Sequence, residues 1–127
     1  MTIALWCVLI AGMMSPLTGL FAKGGTVDGK RYDNSHPRQW LAKLEGRPAR
    51  AVAAMNNSFE SFPLFAAAVI IAQFGGAAQG TLNMLAMAYI AVRVLYTAFY
   101  LMNIGGLRSA TWGIGVAIVV AMFCIVP

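Results

Sequence analysis

Two ionisable side chains stand inside otherwise apolar stretches of this sequence, Glu60 and Arg93, and both have hydrogen-bonding neighbours at helical spacing. Asn57 lies three residues before Glu60, and Arg93, Tyr96 and Tyr100 fall at i, i+3 and i+7, so each set shares one face of a helix. Further basic residues, Arg47, Arg50 and Arg108, stand where these two polar stripes run out of the apolar sequence. The combination describes a pocket lined by positive charge, amide and phenol groups, and guanidinium and phenol groups stabilise anions by hydrogen bonding. No Ser/His/Asp set, phosphate-binding glycine loop or metal cluster is present in the spacing.

These residues are costly where they are. An ionised side chain near the middle of a bilayer costs several kcal/mol unless it is paired or lines a polar cavity. Counted from the end of each stretch that carries basic residues, Glu60 and Arg93 both lie about ten residues deep, or about 15 Å of helix. Opposite sign and matched depth predict a buried ion pair between them, within one chain or across a subunit boundary. A plainer role is open to the same groups: Asn, Glu and Arg can bind helices together, and Tyr100 and Tyr96 can anchor a helix at the membrane surface.

The elements that position them follow from composition. Of 127 residues, 60% are hydrophobic and 10% charged, against about 25% charged in a typical globular protein. Four apolar stretches, 2–22, 51–74, 81–102 and 109–126, are each long enough to cross about 30 Å of hydrocarbon. The expectation is an all-α membrane protein, a single transmembrane domain over 1–127 with four helices running up and down as a bundle. The first stretch has no basic residue before it and no small-x-small cleavage signal at Lys23, so it reads as a retained span rather than a signal peptide.

The net charge of +5 comes from nine basic and four acidic residues, and most of these lie in the connection from Lys23 to Arg50. The turn at Gly75, Gly76 and Gly80 is uncharged, and the connection from Asn103 ends in Arg108. All basic residues in connections thus fall on one side, which by the positive-inside rule is cytoplasmic, with both termini outside. That rule accounts for the charge without a nucleic-acid partner. Within the first connection, Arg38–Glu45 places Trp40, Leu41 and Leu44 on one side of a short helix lying at the membrane surface. Pro48 suits the first turn of the second span, and Pro63 should bend it. Gly105, Gly106, Gly113 and Gly115 read as turns and close helix contacts, His36 as a loop residue, and Cys7 and Cys124 as apolar filler with no disulfide or metal spacing.

The stretch Arg50–Phe65, RAVAAMNNSFESFPLF, resembles the N-x-x-E-x-x-P-x-F signature of the MAPEG superfamily, the membrane-associated proteins in eicosanoid and glutathione metabolism. Arg93–Tyr100, RVLYTAFY, resembles the R-x-x-Y-x-x-x-Y signature of their third span. The chain is similar in length and span number to a bacterial-type member. The resemblance implies a homotrimer with a glutathione site at each subunit interface, open toward the cytoplasm, in a bacterial inner membrane. It implies that Arg50, Asn57, Glu60, Arg93 and Tyr100 bind or support glutathione, and that Arg108, helped by Tyr96, stabilises its thiolate.

By the same resemblance the activity is that of a membrane-bound glutathione transferase or peroxidase, with an apolar electrophile or lipid hydroperoxide arriving laterally from the bilayer. Ala53 and Ser61 occupy positions where active eukaryotic members often carry a basic residue and a tyrosine. That departure supports the alternative, a lipid-binding or scaffold protein of the same fold without catalysis. A small proton-coupled exporter, a third possibility for four helices and a membrane glutamate, is disfavoured if Arg93 pairs with Glu60.

Overall fold

In the computed structural model, which describes residues 1–127, the chain is an all-α integral membrane protein with four spans. They are α1 (Ile3–Lys23), α3 (Gly46–Phe74), α4 (Gln79–Leu101) and α5 (Gly105–Cys124), with a short helix α2 (Pro37–Ala42) in the first connection. Only 25 of the 127 residues are buried, and the outward faces carry large apolar side chains such as Leu9, Leu17, Ile70 and Val120. Lipid tolerates that surface, whereas water would not.

The helices approach closely because small residues line their seams. Ala4, Ala54, Ala68, Ala72 and Ala86 are completely buried, and without a hydrophobic driving force between helices, such contacts are what hold a membrane bundle. Phe65 of α3 stacks on Tyr89 of α4 with ring centroids 3.9 Å apart and planes 7° from parallel, filling the centre. Buried hydroxyls turn to backbone acceptors: Ser15 donates to Met55 O across the α1–α3 seam at 3.1 Å, and Thr18 to Met14 O at 2.7 Å.

α3 starts at Gly46, before its apolar stretch opens, and carries Pro48 in its first turn and Pro63 in its interior. Pro63 removes one backbone donor, which leaves the carbonyl of Phe59 without its usual partner and favours a bend there. A short helix does form in the first connection, but over Pro37–Ala42 rather than 38–45; its Trp40 and the following Leu44 pack with Ala22 and Ala51 at the ends of α1 and α3.

At the opposite end of the bundle an amide chain ties three helices. Thr2 Oγ1 donates to Gln73 Oε1 (2.8 Å), Gln73 Nε2 to Gln79 Oε1 (2.6 Å), and Gln79 Nε2 to Asn83 Oδ1 (2.8 Å). Asn83 Oδ1 also accepts from the Ala4 backbone N–H at 3.1 Å, meeting one of the donors that every helix N-terminus leaves over. α5 differs from the other spans: its side-chain hydrogen bonds, from Thr111 to Leu107 O and Arg108 O, stay within the helix. Apolar contact, with Gly115, Val119 and Met122 buried, fastens it to the rest.

Candidate functional site

The site grows from Arg93, whose side chain is 4% exposed. Its Nη1 donates to Asn57 Oδ1 at 3.0 Å and its Nη2 to Ser58 Oγ at 3.1 Å, both across the α3–α4 seam. The Tyr96 ring, one turn along α4, lies under the guanidinium at 4.3 Å from its centroid. Two neutral acceptors and an aromatic face thus take the place of a counter-ion.

The expected ion pair between Glu60 and Arg93 is not formed within the chain, where no Lys or Arg lies within ion-pair distance of a carboxylate and the one contact of this kind is the hydrogen bond between His36 and Asp33 at 3.3 Å. Depth alone does not bring two side chains together; azimuth decides contact. Successive helical residues turn by about 100°, so Glu60 lies one turn along and about 60° around from Asn57. That rotation carries it to the exposed edge of α3, while Asn57 and the buried Ser58 face Arg93.

A groove of about 290 Å³ opens between α3, α4 and α5. Asn57, Glu60, Ser61 and Arg93 form its polar part, and Leu64, Trp112, Val116 and Val119 its apolar part, with Tyr89 and Gly115 at the back. Gly115 is buried beside Tyr89 and Val92, the close helix contact expected of it.

From Arg93 a ladder of rings and cations runs toward the end of α4. Tyr96 meets Tyr100 edge to face, 5.7 Å between centroids at 75°, and the Arg108 guanidinium lies over the Tyr100 ring at 4.4 Å. Cation–π contacts of this kind stabilise by about 0.5–2 kcal/mol each. They fix the direction of two arginines that have no carboxylate to hold them. Arg108 sits in the first turn of α5 rather than in the connection before it. A cation there opposes the positive end of the helix dipole, and the two together favour an anion nearby.

The sequence-predicted residues therefore separate into three groups. Asn57, Glu60 and Arg93 line the groove. Tyr96, Tyr100 and Arg108 form the ladder beside it, with Tyr96 almost wholly buried. Arg50 stands apart: its Nε and Nη2 both donate to the Leu101 carbonyl, at 3.3 and 3.2 Å, so its head group closes the C-terminal end of α4. Sequence reasoning passed over Ser58 as a partner of Arg93, and Trp112 and Leu64 as groove walls. The i, i+4 spacing of Arg108 and Trp112 was the available signal for the tryptophan. No group of residues suited to hold a metal ion is present.

Comparison with protein-family models matches residues 3–126 to the MAPEG family. Neither the curated proteins nor the solved structures gave a match.

Proposed function

The chain belongs to the MAPEG family, and on that premise we propose that it is a membrane-bound glutathione transferase or peroxidase acting on apolar electrophiles or lipid hydroperoxides. The observation that carries this reading is a groove polar at Asn57, Glu60 and Arg93 and apolar at Leu64, Trp112 and Val116, flanked by the ladder that ends in Arg108. A peptide with carboxylates, an amino group and a thiol suits the first set, and an acceptor dissolved in lipid suits the second.

Glutathione would supply the nucleophilic thiol, which at its ordinary pKa of about 8.5 is only a few per cent ionised at neutral pH. Arg108, at the N-terminal turn of α5, holds negative charge on sulfur by its own charge and by the helix end behind it. Tyr100 orients Arg108 through its ring, and Tyr96 does the same for Arg93, which with Glu60 binds charged groups of the peptide. The half-exposed Trp112 and Leu64 give the acceptor an entrance from the acyl chains, so little polar recognition of it is required. In this reading the protein is a homotrimer whose neighbouring subunits cover the outer face of Glu60. Both termini lie outside the cytoplasm of a bacterial inner membrane.

The test is titration of the detergent-purified protein with glutathione, followed by thiolate ultraviolet absorbance across pH. Binding with a lowered thiol pKa supports the transferase, and binding without it removes the catalytic role of Arg108. A second reading, a lipid-binding or scaffold protein without catalysis, is favoured by Arg50 being tied to Leu101 and by Ala53 and Ser61 at positions lacking long polar side chains. Failure to bind glutathione supports it.

A further inference from the structure

The first connection carries positive charge that the proposed reaction does not use. Lys30, Arg31, Arg38, Lys43 and Arg47 have no carboxylate within ion-pair distance, since the sole contact at that distance joins His36 to Asp33. Three of these cations, Lys30, Arg31 and Lys43, border a depression of about 430 Å³ whose wall includes Trp40.

A solvated loop would let such charges drift apart, but this one is held. Val27 and Lys30 exchange backbone hydrogen bonds at 3.0 and 2.9 Å around a two-residue turn. Asp28 and Gly29, at φ 50° and 73°, make that turn tight. Lys30 and Arg31 leave it with their backbone fixed. Tyr32 then packs edge to face on Trp40, 5.3 Å between centroids, and Lys23 lies over the other partner's ring, Tyr32, at 4.7 Å. Trp40, 6% exposed, anchors the whole to Ala22 and Ala51.

Two acidic residues also border the depression, Asp28 and Asp33. Asp33 is occupied: it accepts from the Ser35 N–H at 2.8 Å and faces His36, and these contacts hold its carboxyl below the usual carboxylate range. The balance stays positive.

We propose that this depression is a binding site for the phosphate of an anionic phospholipid headgroup, distinct from the groove between α3, α4 and α5. The membrane is the favoured source of that phosphate over the solution because the floor of the site is packed on the last residues of α1 and the first part of α3, at the level where headgroups lie. A soluble phosphate would have the same chemistry without that proximity.

The full-length protein in mixed phosphatidylcholine and phosphatidylglycerol nanodiscs, released for native mass spectrometry, tests this directly. The expected result is preferential retention of phosphatidylglycerol. Each basic residue near a membrane surface contributes about fivefold to such binding, so the double variant Lys30→Gln/Lys43→Gln should lose at least about tenfold of the preference. The matched variant Arg38→Gln/Arg47→Gln removes as much charge outside the depression and should lose clearly less. Lys30→Arg/Lys43→Arg should retain the preference, which separates loss of charge from loss of fold. Equal losses in the two glutamine variants would mean general attraction to the surface and overturn the site. Displacement of the lipid by millimolar inorganic phosphate, with phosphate bound in its place, would overturn the lipid as its occupant.

Discussion

Arg93 reaches Asn57 across the α3–α4 seam at 3.0 Å, so a neutral amide holds the innermost charge of the bundle. A charged donor stripped of an acceptor in a buried place costs about 1.5–3 kcal/mol. Asn57→Leu, similar in bulk but unable to accept, should lower stability by about 2 kcal/mol. Thermal unfolding in detergent, followed by helical circular dichroism, checks it; an unchanged midpoint would show that Ser58 and the Tyr96 ring suffice for Arg93.

Glu60 should behave in the opposite way. It is exposed and has no ionic partner in the chain, so Glu60→Gln is expected to change the stability of the isolated protomer by less than about 0.5 kcal/mol. Under the proposed function, glutathione affinity should nevertheless fall, by about tenfold for a lost charge-assisted contact. A calorimetric titration beside an unfolding curve separates the two effects, and a large stability loss with unchanged affinity would refute the assignment.

Four spans and the surface helix at Trp40 were legible because hydrophobicity and its period are written along the chain. The partners of Arg93 were not. Depth can be counted from residue numbers, but which of Asn57, Ser58 and Glu60 faces a neighbouring helix depends on the rotation of α3 about its axis, and residue counts carry no such reference. Arg50 was hidden for a related reason: its acceptor is the end of α4, distant in sequence, and an arginine at the start of a span reads equally well as ligand or cap. Ser58 offered only a small hydroxyl beside a more conspicuous amide.

Under the proposed function, Arg108 stacked on Tyr100 should matter to turnover more than to binding. Removal of one preorganised group from a developing anion costs about 10²–10³ in rate. Arg108→Ala is therefore expected to lower kcat by about a hundredfold while the Kd for glutathione moves by less than about fivefold. Steady-state kinetics with a hydrophobic electrophile, at saturating glutathione, supply the comparison. A change confined to Kd would make Arg108 a binding residue only.

Trp112 forms part of the apolar wall and is 48% exposed. Under the proposed function, Trp112→Ala should raise KM for an apolar acceptor by about tenfold, the effect of losing roughly 60 Å² of apolar contact, and leave glutathione KM unchanged. Parallel kinetics with a small and a long acceptor would expose a wall that contacts neither.

Asn83 accepts from both Ala4 N–H and Gln79 Nε2 at the far end of the bundle. Asn83→Leu should cost about 1 kcal/mol, the usual net contribution of a hydrogen bond, and increase amide exchange in the first turn of α1. Hydrogen exchange by mass spectrometry would show the loss in the peptide beginning at Met1.

α3 and α4 are stitched to each other at three levels, by Arg50 at Leu101, by Arg93 at Asn57 and by Gln73 at Gln79. α5 has no such stitch to either. Two sides of the groove are therefore tied to each other by directional bonds, and the third is held by apolar packing and one guanidinium stack. The wall that carries Trp112 and Val116 thus rests chiefly on the fit of side chains, whereas the wall that carries Asn57 and Arg93 is fixed by hydrogen bonds.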